Sequence, residues 1–169
     1  MTGAIIYTSE EDFDTDLKQD IISDMKSLAE EHRWWNQPIS FADHPDYPDA
    51  LDGSTELVHR YFQSPNGQQR KIDYKDDILM GMVDYAFIIG ILAAASKEHE
   101  FSWNLCYPAH PRPKQIGMIR EGEIEARVFD FLLQEMQALD ISDADLENEK
   151  LHSEIRSKYF TPEGEKIYT

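Results

Sequence analysis

The most hydrophobic stretch of the chain covers residues 78–95 and reads ILMGMVDYAFIIGILAAA, with Asp84 as its only charged residue. A helix on a protein surface keeps about half of its circumference polar, and this segment keeps almost none. The pattern therefore predicts a central helix that is covered on all sides.

The same segment could be a short membrane span, because its 18 residues fall at the lower end of the range that crosses a bilayer. Asp84 lies near its middle, where a charge costs about 2.5 to 3.5 kcal/mol. The flanks carry no excess of Lys and Arg that would set an orientation. We therefore expect a buried helix and no contact with a membrane.

A strip of small residues, Ala86, Gly90 and Ala94, recurs at four-residue steps along this helix. Small residues at that spacing let a second helix approach closely. We therefore expect other helices to wrap around the segment. Apolar positions at three- and four-residue steps predict those helices over residues 10–34, 54–63, 120–139 and 142–158.

The remaining segments predict little regular structure. Short extended pieces are expected at residues 3–8 and 68–72, and the proline-rich segment 36–53 is typical of a loop. Residues 97–115 also predict a loop, extended or polyproline-like, that lies over the core. The tail after residue 159 is expected to form a hairpin or to pair with the strand near Ile5. The predicted fold is mainly α: a helical bundle around residues 78–95 with a small β pairing of the termini.

Length and cysteine content set the broad class of protein. The 169 residues are enough for one domain with its own core, which we expect to span residues 1–169. Cys106 is the only cysteine, so an internal disulfide is impossible, and this suits a reducing compartment. The first residues lack the basic and apolar pattern of a secretory signal. We therefore expect a cytoplasmic location.

The charge is strongly negative, with 16 Lys and Arg against 33 Asp and Glu and a formal net charge of −17. Direct binding to a nucleic-acid backbone or an anionic membrane is therefore not expected. A basic protein is the partner that this charge favours, and the alternative is that acidity only confers solubility. A homo-oligomer is a further possibility.

Four aspartates spaced by four residues form a ladder beside the apolar stripe of the first predicted helix, at Asp12, Asp16, Asp20 and Asp24. Like charges at that spacing repel one another, so the arrangement breaks a local rule of helix stability. One interpretation is an acidic ridge for a cationic partner, with Trp34, Trp35 and Tyr47 as aromatic anchors. The other is a solvated face whose repulsion Lys18 and Lys26 partly relieve.

A second candidate site consists of Asp73, Asp77 and Asp84, which fall close to one face of the central helix. Carboxylates in that arrangement can bind a metal or act as acid and base, and His44 or His99 could join them. Asp84 must have a partner because an unpaired buried charge costs several kcal/mol. We expect that partner to be an Arg, a His or a Tyr hydroxyl.

Motifs for common cofactors and hydrolases are missing from the sequence, including dinucleotide-binding, Walker and zinc-protease patterns. The loop at residues 43–49 carries metal-ligand residue types but matches no calcium-loop spacing. We therefore assign no cofactor and no metal.

The chain is similar in general profile, by composition alone, to immunity or antitoxin-type inhibitors. We expect a non-enzymatic protein that binds and inhibits a basic protein; the alternative is a metal-dependent hydrolase using carboxylates around Asp84.

Overall fold

A six-stranded antiparallel sheet forms one half of the core. This computed structural model describes residues 4–43, 45–57, 61–63 and 69–159. The six strands are β1 Ala4–Asp12, β2 Ser40–Phe41, β3 Ala50–Glu56, β6 Ser102–Tyr107, β7 Lys114–Arg120 and β8 Glu123–Ile124. Their order across the sheet is β2-β3-β1-β6-β7-β8. A separate two-stranded sheet joins β4 Tyr61–Gln63 to β5 Gln69–Lys71.

Helices supply the other half of the core. They are α1 Thr15–Glu30, α2 Tyr74–His99, α3 Asp130–Ala138, α4 Asp143–Glu147 and α5 Glu149–Tyr159, with a 3₁₀ turn at Ala126–Phe129. The protein is therefore a mixed α and β fold, and the prediction of a mainly α, all-helical bundle is wrong.

The helix predicted over residues 54–63 is wrong, because the chain there forms the end of β3 and then β4. Leu51, Gly53 and Thr55 face the core, and Ser54 between them is exposed. That alternation has the two-residue period of a strand, but two of the inward positions are not hydrophobic. Gly53 is required there, since a Cβ atom would lie 2.3 Å from the carbonyl oxygen of Ser40.

The loop predicted over residues 97–115 is only partly correct. Residues 97–99 end α2, residues 102–107 form β6 and β7 begins at Lys114, while residues 108–113 connect the two antiparallel strands without regular structure. Trp103 and Leu105 are completely buried and alternate with less buried neighbours. The indole Nε1 of Trp103 donates a hydrogen bond to the carbonyl of Leu92, 2.9 Å away, which ties β6 to α2.

The central helix was predicted correctly, and α2 covers the whole of residues 78–95. It passes the length and composition test for a membrane span, with a mean hydropathy of 2.1, and 67% of that window is buried within the protein. The sheet covers part of its surface, so helices alone do not wrap it. The strip of Ala86, Gly90 and Ala94 is exposed, and no atom within 4 Å would meet a Cβ on Gly90.

The first predicted helix begins later than expected. Residues 10–12 continue β1, because the buried Ser9 hydroxyl accepts from the backbone N–H of Leu51 and donates to the carbonyl of Glu11. α1 starts at Thr15 with Asp14 as its N-cap. The start of the helix predicted over residues 142–158 is confirmed, with Ser142 as N-cap and a complete capping box between Ser142 and Asp145, but a break at Asn148 divides that span into α4 and α5.

Short extended pieces near residues 3–8 and 68–72 are confirmed as β1 and β5. Helix over 120–139 is only partly correct, since β8 and a 3₁₀ turn precede α3. The predicted pairing of the tail lies outside the described residues, and β1 itself pairs with β3 and β6.

Both edge strands of the large sheet, β2 and β8, contain two residues each. Beyond β8, the backbone N–H of Met118 on β7 donates to the carboxylate of Glu125 at 2.7 Å. Glu125 returns its own N–H to the carbonyl of Met118 at 3.1 Å. A side chain therefore takes over part of the pairing at this edge.

Candidate functional site

The acidic loop that precedes β3 folds against the junction of β1 and α1. The backbone N–H of Phe13 donates to the carbonyl of Asp49 at 2.8 Å, and Asp12 pairs in register with Ala50. The N–H of Ala50 donates to the carbonyl of Tyr47 at 3.2 Å. Acids that are about 30 residues apart in sequence are therefore brought to one end of the molecule.

Lys18 fixes the same loop from the side of α1. Its ammonium donates to Asp43 Oδ1 at 3.2 Å and to the carbonyl of Pro48 at 2.9 Å, and the residue is only 7% exposed. Its aliphatic stem lies in the core while its charge is matched by Asp43. Lys18 therefore holds the loop in place, and its hydrogen bonds go to that loop and not to the aspartate ladder.

We call this region the acidic end; its carboxylates belong to Asp12, Asp14, Asp16, Asp20, Asp43, Asp46 and Asp49. All seven residues are exposed. Two large apolar side chains stand among them: Tyr47 is 61% exposed and Leu17 is 38% exposed. Asp14 has a second role as the N-cap of α1, in which its carboxylate accepts a hydrogen bond from the N–H of Leu17 at 2.8 Å. The acidic end thus combines dense negative charge with exposed apolar groups.

The aspartate ladder is divided by the fold. Asp12 ends β1, Asp16 and Asp20 lie on the exposed side of α1, and Asp24 lies 3.6 Å from His99 at the end of α2. Three of the four predicted residues therefore belong to the acidic end, and the fourth belongs to another cluster.

The three predicted aromatic anchors are also separated. Tyr47 lies in the acidic end. Trp34 lies beyond the opposite end of α1, half-buried, with its Nε1 donating to the carbonyl of Ala29 at 2.9 Å. Trp35 is completely buried, and its Nε1 donates to Asp77 at 2.7 Å. The structure places Trp35 in the core, so the acidic end has Tyr47 alone as its aromatic group from this set.

Asp84 is completely buried and accepts hydrogen bonds at both carboxylate oxygens. His32 Nε2 lies 2.9 Å from Oδ1, the N–H of Trp35 lies 3.1 Å from each oxygen, and the N–H of Asn36 lies 2.7 Å from Oδ2. The expectation of a buried partner is confirmed with His32 as that partner. The backbone amides were not anticipated, and they show that Asp84 anchors the segment after α1.

The imidazole of His32 is held on a second side by an aromatic stack. Its ring lies parallel to Phe87 with the centroids 4.2 Å apart, and Trp34 meets its edge at 4.6 Å. The ring lines a cleft of about 750 Å³ between α2 and α5, together with apolar Val83 and Ala86 and the charged residues Arg33, Glu149 and Arg156. Acids and bases are mixed around this cleft, so its charge favours neither sign of ligand.

The other two candidate catalytic carboxylates have local contacts. Asp77 accepts from Trp35, and Asp73 caps α2 by accepting from the N–H of Asp76 at 3.1 Å. The Tyr159 hydroxyl accepts a hydrogen bond from the N–H of Asp73 and donates one to the carboxylate of Asp76. Burial is the main cause that raises the pKa of the Tyr159 phenol to about 12.

His99, the imidazole that could have joined these carboxylates, lies at the other end of α2. It is 22 residues from Asp77, which corresponds to about 33 Å along a helix. His44 lies outside the described residues. Among the described residues, no histidine of the predicted pair therefore meets Asp73, Asp77 and Asp84.

Comparisons with protein-family models, curated proteins and solved structures found no match to this chain. The site must therefore be interpreted from its own chemistry.

Sequence reasoning missed that Lys18 and Asp43 join α1 to the loop. The sequence carried only a weak signal for this contact. Lys18 lies four residues before Ile22, on the buried side of α1, where a lysine is unusual.

Proposed function

We propose that the chain is a non-enzymatic cytoplasmic protein that binds a basic protein through the acidic end and blocks that protein's activity. The acidic end supplies charge of one sign over a surface formed by two elements and a loop. Such a surface attracts a cationic partner over a distance and increases its rate of association.

The observation that carries this proposal is the position of Lys18. Between residues 10 and 24 the sequence has seven acids and one basic residue, and that residue is Lys18. Because Lys18 is buried and faces Asp43, it does not neutralise the exposed carboxylates of Asp12, Asp16 and Asp20. A protein that used acidity only for solubility would not need its charge concentrated in this way.

Tyr47 is the proposed anchor of the interface. Charge alone accelerates the encounter, whereas affinity depends on a few desolvated side chains, and tyrosine is among the most frequent of them. Tyr47 stands in a proline-flanked loop that Lys18 fixes, so little conformational freedom is lost when it is buried by a partner.

The test is affinity capture from a lysate of the native host with three forms of the protein: the wild type, the triple variant Asp16→Asn/Asp20→Asn/Tyr47→Ala, and a control. The control, Glu123→Gln/Glu154→Gln, removes the same number of charges from exposed positions outside the acidic end. Bound proteins are identified by mass and then assayed for activity with and without the captured form.

We expect a basic protein to bind the wild type and the control in equal amounts to the chain, to be released by moderate salt, and to be lost from the triple variant. Its activity should fall when the wild type is added. Equal capture by the triple variant, or capture of a second copy of this chain alone, would contradict the proposal.

A further inference from the structure

Three residues with metal-binding side chains meet where α1 passes the end of α2. Asp24 comes from the middle of α1, and Glu98 and His99 come from the last turn of α2. One ligand atom from each lies within 4.8 Å of the others. The first and the last of these residues are 75 positions apart, so only the antiparallel packing of the two helices brings them together.

The imidazole of His99 carries an unsatisfied nitrogen. Its Nε2 atom is buried and has no hydrogen-bond partner in the part of the chain that the structure describes. Asp24 Oδ2 lies 3.6 Å from this nitrogen, which is too long for a hydrogen bond. A buried polar atom without a partner is costly and calls for an explanation such as a missing ion.

The spacing fits a metal ion between the two side chains. Ligands that lie about 2.1 Å from Zn²⁺ in a tetrahedral site are about 3.4 Å from one another. The observed separation of 3.6 Å between Asp24 and His99 is close to that value. Two carboxylates and one imidazole would offset the charge of a divalent ion, and imidazole favours zinc over magnesium or calcium.

We propose that Asp24, Glu98 and His99 form a binding site for a divalent transition-metal ion, with Zn²⁺ as the best match. The three side chains would supply three ligands, which leaves the fourth position of a tetrahedral site for a water molecule. The ion links α1 to the end of α2. The site uses none of the residues of the acidic end, so it is independent of the proposed partner.

The test is calorimetric titration of chelator-treated, full-length protein with Zn²⁺, and then with Mg²⁺. His99→Gln removes the nitrogen ligand, and Glu98→Gln removes a carboxylate at an exposed position. Asp20→Asn is the matched control, since it removes an acid one turn away on α1. Urea unfolding of each variant without metal shows that all of them fold.

We expect the wild type to bind one equivalent of Zn²⁺, and the His99 and Glu98 variants to lose at least about 10- to 100-fold in affinity, the loss typical even of residues that only support a metal ligand. The control should lose less than about 5-fold in affinity, which is the upper end of what an exposed charge–charge interaction contributes. Mg²⁺ should not compete.

Three results would overturn the proposal: no stoichiometric binding by the wild type, equal binding by His99→Gln, or displacement of Zn²⁺ by Mg²⁺. The first two would leave His99 as an ion-pair partner of Asp24. The third would show only general attraction of cations to an acidic surface.

Discussion

Replacing Asp84 with alanine tests whether the buried carboxylate is a structural anchor. The change removes the acceptor of two backbone N–H groups, those of Trp35 and Asn36, and of the imidazole of His32. Each buried donor that loses its partner costs about 1 to 3 kcal/mol. Relaxation and entry of water recover part of that sum, so we expect a loss of about 4 kcal/mol, within the range for breaking a buried charged contact.

That loss is a large fraction of the 5 to 15 kcal/mol that keeps a typical domain folded. The assay is urea unfolding followed by tryptophan fluorescence, with the free energy of unfolding extrapolated to water. Amide hydrogen exchange should show lost protection at Trp35 and Asn36 in particular. Asp20→Asn, an exposed change on α1, is the control and should stay within about 0.5 kcal/mol of the wild type.

A loss below about 1 kcal/mol for Asp84→Ala, which is less than one unsatisfied buried donor, would refute this reasoning. Asp84 would then have to be buried for a reason other than stability. The hypothesis of a hydrolase built on the α2 carboxylates would gain support from that result.

The remaining predictions concern stability and pH. Gly53→Ala should destabilise the fold by about 2 kcal/mol or more, because the added Cβ atom would overlap the Ser40 carbonyl and the Tyr7 ring. Gly90→Ala should stabilise the fold by about 1 kcal/mol, because no atom lies within 4 Å of the added Cβ and alanine favours a helix. Thermal or urea unfolding measures both changes, and opposite signs would contradict the packing described. Burial raises the pKa of Tyr7 from 10.0 to about 12, so its phenol stays protonated in the folded state at a pH where the unfolded chain ionises. Stability should therefore be fully present below pH 10 and fall by about 2 to 3 kcal/mol towards pH 12, and Tyr7→Phe should show a weaker fall in alkaline unfolding; an unchanged pH profile would exclude Tyr7 as a cause.

The parts of the fold that sequence predicted correctly are those whose pattern is local. The run at residues 78–95 needs burial whatever surrounds it, and the capping box at Ser142 is complete within four residues. β3 was missed because some of its inward positions are not apolar. β6 was missed although Trp103 and Leu105 face inward, because the prolines that follow it favour a loop. In β3 those positions include Gly53 and Thr55, and the glycine is explained only by its neighbours in the fold, the Ser40 carbonyl and the ring of Tyr7.

The candidate site was predictable only in its charge. The aspartate ladder is plain in the sequence, but its division among β1, the exposed side of α1 and the cluster at His99 depends on where the helix begins and on how α1 and α2 cross. Asp84 was expected to find a histidine or another partner because buried charge demands one. The sequence could not show that this partner is His32, or that the backbone N–H groups of Trp35 and Asn36 also bind Asp84. These contacts depend on the turn after α1, which no local pattern indicates.

The two-residue strands at both margins of the large sheet limit how this protein can associate with others. Assembly by strand addition requires a long row of unpaired N–H and carbonyl groups, and the same row is the template on which fibrils grow. β2 and β8 offer only a short row each, and Glu125 occupies the N–H of Met118 just beyond β8. In the described part of the chain, the large sheet therefore offers little backbone for strand addition, and contacts through side chains are the more favourable way for another protein to bind.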